Sequence, residues 1–176
     1  MRVPDNLAEL SSDESIMMKN EREYAAVAMI LNQERLVIEK RSSNSDDPWS
    51  GQFSLPGGHF SKTDNCLKET AVRETKEETG IDLSSDGICL GHFGPFVPGN
   101  KLNLDVFVYV FEISDSPILT PSTEVEYLKW VSLDELETVM DRKETIFKIK
   151  EGIIWGLTAR IIQKFIEMIE SNTKEL

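Results

Sequence analysis

The 176-residue chain contains 40% hydrophobic and 28% charged residues, which is enough for one globular domain with a buried core and too little for two. Its 31 acidic and 19 basic residues give a formal net charge of -12, which disfavours binding to the phosphate backbone of a nucleic acid. A substrate that itself carries phosphate would need divalent cations between two anionic surfaces.

The cysteines and the apolar runs indicate the cellular compartment of the protein. Cys66 and Cys89 form no metal-ligand or disulfide pattern, so we expect a reducing compartment. The N-terminal segment shows no basic-then-apolar signal, and no apolar run is long enough to cross a bilayer. The expected location is therefore the cytoplasm, without a membrane partner.

The first third of the chain begins with an arm and continues with strands. Residues 1–20 are polar and acidic without a sustained period, so we expect a loosely attached arm before a single domain over residues 21–176. "YAAVAMIL" and "RLVIEKRS" are strand-like, and the "NQE" between them suits a hairpin connection. "SSNSDDPWSG" is a loop by composition, and "QFSLPGG" is a short strand ended by Pro56 and two glycines.

A helix that ends at Gly80 comes next, followed by the strands "GICLGHFGPFV" and "LNLDVFVYVFEI". The second strand is apolar on both faces from Phe107 to Phe111, as in the centre of a layered fold. "YLKWVSL" is another strand, and Ser132 with Glu135 has the spacing of a capping box, which predicts a helix over "LDELETVM". A final amphipathic helix is indicated by Ile154, Leu157, Ile161, Phe165 and Met168.

Three glutamates, Glu74, Glu77 and Glu78, lie within an arc of roughly 100 degrees on the predicted helix, because spacings of three and four residues return to the same side. Like charges at these spacings repel one another. Solvation of an exposed face is the usual explanation for such a charge run. Here, however, Leu67 and Ala71 fall on the same side, so the acids continue the stripe that should pack on the sheet.

A cation is therefore expected among these carboxylates, since burying them without one is unfavourable. Arg73 supplies one positive charge, which cannot compensate three acids. Magnesium and manganese prefer oxygen ligands, and a one-sided cluster leaves coordination positions open for water and substrate phosphate oxygens. Upstream, "LPGG" brings a backbone without side chains near the helix, where a carbonyl group can reach a metal.

The stretch "GGHFSKTDNCLKETAVRETKEETGI" resembles the Nudix box, whose pattern is Gly, five residues, Glu, seven residues, then Arg-Glu-U-x-Glu-Glu-x-Gly-U, where U is aliphatic. Two positions differ from the pattern: Asp64 replaces the first glutamate, with eight residues rather than seven before Arg73, and Thr75 replaces an aliphatic residue. The residues that match in order and spacing are Arg73, Glu74, Glu77, Glu78, Gly80 and Ile81.

The same aspartate and the same extra residue occur in the branch of the family that resembles coenzyme A diphosphatases. "LVIEKRSS" is similar to the Leu-Leu-Thr-x-Arg-Ser opening of that branch, "LPGG" to its Phe-Pro-Gly-Gly, and "IWGLTARI" to the tryptophan-glycine-threonine-alanine segment of its last helix. The resemblance extends from about Leu36 to Ile162. The loop "SSNSDDPWSG" departs from it, because two aspartates are present and the arginine of the coenzyme A signature is not.

The resemblance implies a Nudix α/β/α sandwich with a mixed central sheet between helices. It also implies a hydrolase that cleaves the pyrophosphate bond of a nucleoside diphosphate linked to another moiety, with Mg²⁺ as cofactor and Mn²⁺ as a substitute. The implied metal ligands are the Gly57 carbonyl, Glu74, Glu77 and Glu78.

Catalytic roles follow from the same resemblance. Arg73 is expected to orient the glutamates through salt bridges. The general base comes from Glu77 or Glu78 in the box or from a later loop, where Glu124 is the candidate and Glu126 the neighbouring alternative. The implied substrate contacts are Arg41, Gly58, Phe93, Phe96 and Asn100.

Other aromatic and basic residues are expected to have ordinary roles. His59 and His92 lack the spacing of a metal pair, Trp49 is more typical of a loop anchor than of a stacking group, and Trp155 is expected in the core. The substrate stays open among coenzyme A, ADP-ribose, dinucleoside polyphosphates and oxidised nucleotides. The oligomeric state stays open as well; many relatives are dimers, and the arm could serve as an exchange element in a homodimer.

Two other functions are compatible with the same scaffold. A nucleotide-binding module without catalysis would have a degraded box, whereas every acid is present here. An isoprenoid diphosphate isomerase would need a catalytic cysteine in a distinct context, and it would form product without releasing nucleotide or phosphate. The sequence places Cys66 on the box helix and Cys89 on a strand whose facing it does not define.

Overall fold

The structure of the chain is a computed structural model that describes residues 7, 9–12, 16–43, 48–141 and 144–174. The strands and helices in chain order are β1 (Glu23–Asn32), β2 (Arg35–Arg41), β3 (Phe53–Ser54), β4 (Gly57–His59), α1 (Leu67–Thr79), α2 (Leu83–Asp86), β5 (Gly87–Phe96), β6 (Leu104–Ile113), β7 (Val125–Ser132), β8 (Glu137–Asp141), β9 (Glu144–Ile149), β10 (Gly152–Ile154) and α3 (Gly156–Lys174).

The described strands form two sheets. In the larger sheet the order is β3-β2-β1-β6-β5, with β4 also paired to β1 and β7 to β2. β1 and β6 are parallel, whereas the other described pairs in this sheet are antiparallel, so the sheet is mixed, as expected. β8, β9 and β10 form a separate antiparallel sheet.

Side chains along a strand alternate between the two faces of a sheet, and this alternation builds two cores. On β1, Ala28 and Ile30 belong to the core that contains the α1 residues, whereas Met29 and Leu31 belong to the core that contains the α3 residues. β6 continues the pattern through the run from Phe107 to Phe111, which is buried on both faces as the sequence predicted. The result is the expected α/β/α sandwich.

The first hairpin has the connection that its sequence indicates. Asn32 pairs with Arg35, which leaves Gln33 and Glu34 as a two-residue turn. Gln33 has a φ of 56°, as two-residue hairpin turns often require. The turn places β2 beside β1, and β2 carries Arg41 to the cavity described below and Glu39 to the neighbourhood of Glu78.

The predicted helix over "LDELETVM" is wrong. The capping box is present, but it begins a single 3-10 turn over Leu133–Glu135, and the chain is extended from Leu136 onward. The following residues form β8, which pairs with β9 from Glu137↔Lys148 to Asp141↔Glu144. The local capping signal therefore produces a single turn, and pairing with β9 makes the following residues a strand instead of a helix.

The N-terminal arm is attached more closely than we expected. Among its described residues, Leu7 is buried in the α3 core, and Ser11 forms a β-bridge with His92. Glu9 forms an ion pair with Lys164 on α3, with 2.6 Å between carboxylate and ammonium. Residues 1–6, 8 and 13–15 of the predicted arm lie outside the described residues, as do residues 44–47 of the predicted loop.

Among the helices that the structure describes, none combines the length and the apolar character that a membrane crossing requires.

Candidate active site

A cavity of about 1170 Å³ is lined by the main sheet, by the start of α3 and by residues of β8 and β9. This volume slightly exceeds the range of about 300–1,000 Å³ that is usual for small-molecule sites, so an extended ligand fits. Its wall combines acidic, basic and aromatic groups. The described lining residues of these types include Glu74, Glu78, Glu124, Glu144, Arg41, Arg160, Trp49, Phe53, His59 and Trp155.

α1 brings two of the acids to this cavity. The helix packs on the sheet through Leu67 and Ala71, which are almost completely buried, and Glu78 on the same stripe is only 5% exposed. The Glu74 side chain is 18% exposed, whereas the Glu77 side chain is 60% exposed. The predicted stripe therefore holds for Glu74 and Glu78, and Glu77, at the edge of the arc, turns toward solvent.

Arg73 is fixed by Asp64 through two parallel hydrogen bonds. Its Nε donates to Oδ1 at 2.9 Å and its Nη2 to Oδ2 at 2.9 Å. The Asp64 carboxylate also accepts hydrogen bonds from the Thr70 hydroxyl and the Ser61 amide. The Arg73 hydrogen bonds are the main cause that lowers the pKa of Asp64 to about 2. In the described structure Asp64 therefore acts as the anchor of Arg73.

From this anchor Arg73 reaches the box glutamates. Its Nη1 donates to Glu74 Oε1 at 2.6 Å and lies 3.6 Å from Glu77 Oε1. Burial nevertheless raises the pKa of Glu74 above its ordinary value, and the charges of Glu77 and Glu124 add to this shift. Arg73 thus contacts the glutamates in the manner that the orienting role requires.

Two glycines on β4 allow the acids to approach the sheet. The Gly57 amide donates to Glu78 Oε2 at 2.8 Å. Gly57 has a φ of +154°, and a Cβ there would lie 2.3 Å from the Ala26 carbonyl oxygen, so no other residue fits. A Cβ on Gly58 would lie 2.6 Å from the Glu74 carboxylate carbon. The structure gives Gly57 a contact with the box through its N–H, and the role of its carbonyl as a metal ligand stays a prediction.

Glu39 on β2 was missed by the sequence reasoning. It has no exposed surface, its Oε1 accepts a hydrogen bond from the Ser54 hydroxyl at 2.8 Å, and its Oε2 has no hydrogen-bond partner in the part of the chain that the structure describes. The signal that was available is a lone acid directly after the apolar run Leu36–Ile38.

Glu39 and Glu78 are neighbouring buried acids. Burial is the main cause that raises the pKa of Glu39 to about 7. For Glu78, burial first and the negative charge of Glu39 second raise the pKa to about 9. The cation that partly offsets these shifts is Arg41, on the same strand as Glu39. The pair is therefore an electrostatically unfavourable arrangement unless a proton or a further cation is present.

The structure separates the two candidate loop acids. Glu124 is exposed, lines the cavity and acts on the pKa of Glu74 through its charge. Its backbone carbonyl accepts a hydrogen bond from the Ser42 amide at 2.9 Å, which ties the loop to the end of β2. Glu126 lies outside the cavity lining and pairs with Lys40 at 2.9 Å. Only Glu124 of this pair is near the box acids.

Of the expected substrate contacts, Arg41, Gly58 and Asn100 line the cavity. Phe93 does not, because it is 7% exposed and packs in the α3 core, with its ring centroid 6.5 Å from that of Phe165. Phe96 also packs beside Phe93 outside the lining, with 5.7 Å between the centroids. These two rings therefore belong to the packing on the α3 side of the sheet and are not part of the cavity lining.

Trp155 corrects another expectation. It is 50% exposed and lines the cavity, whereas we expected it in the core. The extended chain before α3 explains this, because alternate side chains point to opposite sides, and Ile154 takes the fully buried position. Trp49 and His59 also line the wall, with ring centroids 6.4 Å apart.

The acids suit a divalent cation in chemistry but are not gathered around one point. Within the described residues, no three His, Cys, Asp or Glu side chains are arranged to hold a metal ion. The reason is that Arg73 engages Glu74 and that Glu77 turns outward. Glu39 Oε2, which has no hydrogen-bond partner among the described residues, is a hard oxygen donor beside the buried Glu78, and Mg²⁺ and Mn²⁺ prefer such donors. The chemistry of these donors therefore fits such a metal.

Comparison with known proteins decides the family. The model of the NUDIX domain matches residues 21–150, which is most of the chain. The chain belongs to the Nudix family. It is 26% identical over 179 residues to the Nudix hydrolase NudL of Yersinia pestis, a match that covers 94% of this chain and 87% of NudL.

A second relative matches over a shorter region. An uncharacterized protein of Schizosaccharomyces pombe is 34% identical over 111 residues, which covers 57% of this chain and 32% of that protein. This Nudix chain therefore matches only about a third of the length of the yeast relative.

Solved Nudix structures share the fold. The Nudix hydrolase RenU of M. smegmatis superposes with a TM-score of 0.62 at 14% identity and covers 85% of this chain and 87% of its own. The MutT protein of Methanosarcina mazei Go1 gives a TM-score of 0.57 at 24% identity, with 89% and 99% covered. These similarities confirm the Nudix α/β/α fold, and the hydrolase relatives support a pyrophosphatase hydrolase.

Proposed function

We propose that this Nudix protein is a hydrolase that depends on Mg²⁺ or Mn²⁺ and cleaves the pyrophosphate bond of a nucleoside diphosphate linked to another moiety. A coenzyme A-type nucleotide is the first candidate substrate. The observation that carries the proposal is the position of Glu74 and Glu78, both held by protein hydrogen bonds, in the wall of a large cavity that also contains basic and aromatic groups.

Hydrogen bonds between protein groups hold two of the box acids in place. Asp64 fixes Arg73, and Arg73 holds one oxygen of Glu74. The Gly57 amide holds one oxygen of Glu78. Such preorganisation matters because charges that are already aligned need little rearrangement when negative charge develops on a phosphate. A divalent ion bound by Glu74, Glu77 and Glu78 would neutralise the diphosphate and make a bound water more acidic.

Glu124 is the proposed general base. It is exposed at the cavity wall and close enough to Glu74 to affect its pKa. In this role its carboxylate takes a proton from the water that attacks phosphorus, so one P–O bond forms and the P–O bond to the leaving phosphate breaks. Glu77 and Glu78 are the alternative bases within the box.

The rest of the cavity suits an extended nucleotide. Trp49 and Trp155 offer faces on which a base can stack, and Arg41 and Arg160 place positive charge in the same wall. The extra phosphate of coenzyme A needs a cation, and the loop before β3 contains no arginine. Arg160 is the candidate for this positive charge. Its Nη2 donates to the Val97 carbonyl at 2.8 Å. ADP-ribose and oxidised nucleotides present the same diphosphate and form the alternative.

The proposal includes the cytoplasm as location and a homodimer as assembly. The location is supported by Cys66 and Cys89, which form no disulfide within the described residues. Sedimentation of the purified chain tests the assembly, and a mass of one chain at all concentrations would contradict it.

A panel assay tests the reaction. The chain is incubated with Mg²⁺ and, separately, with coenzyme A, ADP-ribose, a dinucleoside polyphosphate and an oxidised nucleoside triphosphate, and the nucleotide products are separated by chromatography. We expect hydrolysis of coenzyme A into two phosphate monoesters and no turnover by the Glu78→Gln variant. Turnover of another substrate alone would replace coenzyme A. No hydrolysis with either metal would refute the diphosphatase function.

A further inference from the structure

Glu39 occupies a position where a carboxylate is unfavourable. β2 is buried at Leu36, Val37 and Ile38, and Glu39 follows them with no exposed surface. One oxygen accepts from Ser54, and the other, Oε2, has no hydrogen-bond partner among the described residues. A buried charged group in this state normally needs a partner of opposite charge or a metal.

The groups that act on Glu39 supply that partner only in part. Arg41 lies two residues away on the same strand and contributes positive charge, whereas Glu78, which lies within hydrogen-bonding reach of Glu39, and Glu74 are both carboxylates on α1. Glu78 is itself buried, and its described hydrogen bond from the Gly57 amide engages Oε2. Two buried acids from different elements thus meet beside the cavity that Ser54 and Glu78 line.

We infer that Glu39 is an additional acidic residue of the metal site, where its buried carboxylate acts together with Glu78 to hold the divalent cation. This inference rests on the proposed function and extends the acid set beyond α1 to the central sheet. Ser54 is the positioning residue for Glu39, because its hydroxyl fixes one carboxylate oxygen and leaves the other free for the cation or for a water bound to it.

A purely structural role for Glu39 makes a different prediction. If Glu39 only completed the hydrogen bond with Ser54, its replacement by glutamine would leave metal affinity unchanged and would alter only the stability of the metal-free protein. If Glu39 acts on the cation, the loss of its charge weakens metal binding.

The test is direct measurement of Mn²⁺ binding by the full chain without substrate, using calorimetry or the electron paramagnetic resonance of free Mn²⁺. The variants are Glu39→Gln, Ser54→Ala, Glu78→Gln and, as a matched control, Glu112→Gln, an exposed strand glutamate outside the cavity. We expect the Kd of Glu39→Gln to rise roughly tenfold or more and that of Ser54→Ala to rise severalfold. The Glu112→Gln variant should keep the wild-type Kd.

The outcomes distinguish this inference from the proposed function. If Glu78→Gln loses Mn²⁺ affinity but Glu39→Gln keeps it, the role of Glu39 is refuted and the proposed function stands. If Glu78→Gln also keeps the wild-type Kd, the proposed metal site itself is wrong. If Glu39→Gln does not fold, Ser54→Ala decides, because an unchanged Kd for Ser54→Ala overturns the inference.

Discussion

Arg73 and Asp64 form a two-point ion pair, with both nitrogen–oxygen distances at 2.9 Å. Asp64 stands where the box pattern has a glutamate, and one extra residue separates it from Arg73. The structure shows that the shorter side chain still reaches the guanidinium, because the turn before α1 brings the buried Asp64 carboxylate against it. The ion pair links the loop after β4 to the helix that carries the acids.

Asp64→Asn should destabilise the protein by about 1.5–3 kcal/mol near neutral pH, because it removes a charge-assisted pair that is largely buried on the Asp64 side. Urea unfolding measures this loss. The matched control is Glu126→Gln, which breaks an exposed ion pair with Lys40 and should change stability by less than about 1 kcal/mol. Equal effects of the two substitutions would contradict the anchoring role.

The same ion pair predicts a pH dependence. Because the pKa of Asp64 falls from 3.8 to about 2 on folding, the unfolded state binds the proton more tightly, and stability decreases as the pH falls through this window. The stabilisation is fully present above about pH 4. Unfolding curves at several pH values should therefore show the wild type and Asp64→Asn converging toward pH 2. A constant difference would contradict this assignment.

Glu77→Gln and Glu78→Gln should each lower kcat by roughly 100-fold or more while leaving the fold intact, since each removes a negative charge that the proposed cation needs.

The stabilities of these two variants should differ in a way that burial explains. Glu77 is exposed, so its substitution should change the unfolding free energy by less than about 0.5 kcal/mol. Glu78 is buried beside Glu39, so its substitution should not destabilise the metal-free protein. Circular dichroism and steady-state kinetics check both, and wild-type turnover by either variant would contradict the proposed metal site.

Glu124→Gln should lower kcat by about 100-fold or more, because it deletes the proposed base. Glu126→Gln is the matched control, since this acid lies two residues away but pairs with Lys40 outside the cavity. Steady-state kinetics of both variants with saturating substrate and Mg²⁺ is the measurement. If Glu124→Gln kept the kcat of Glu126→Gln, a box glutamate would be the base.

Gly58→Ala should impair activity, whereas Gly57→Ala should impair folding. The added methyl of Gly58→Ala meets the movable end of Glu74, so the protein should fold and lose most of its activity as that carboxylate is displaced. The methyl of Gly57→Ala meets the β1 backbone at a φ of +154°, so this variant should be destabilised by several kcal/mol or fail to fold. Thermal melts and kinetics on both variants test the contrast, and full activity of Gly58→Ala would contradict it.

Much of the architecture followed from local patterns. The hairpin at Gln33, the buried run from Phe107 to Phe111 and the helix that ends at Gly80 were all visible, because strand and helix periods record which face is buried. The helix predicted after Ser132 was wrong because local patterns do not record long-range pairing. Its capping box is a real local signal, but pairing with β9 is a long-range interaction that no local pattern encodes.

The sequence by itself determined the spacing of Glu74, Glu77 and Glu78 and the side of the helix on which they lie, since both depend only on the period of one element. The tertiary structure decided which of them enter the cavity, because Arg73, Gly57 and the sheet compete for their carboxylates. It also placed Glu39 beside Glu78 from a distant strand. β2 and α1 are far apart in sequence, so the proximity of these two acids depends on how the helix packs on the sheet. Such packing is a property of the whole fold.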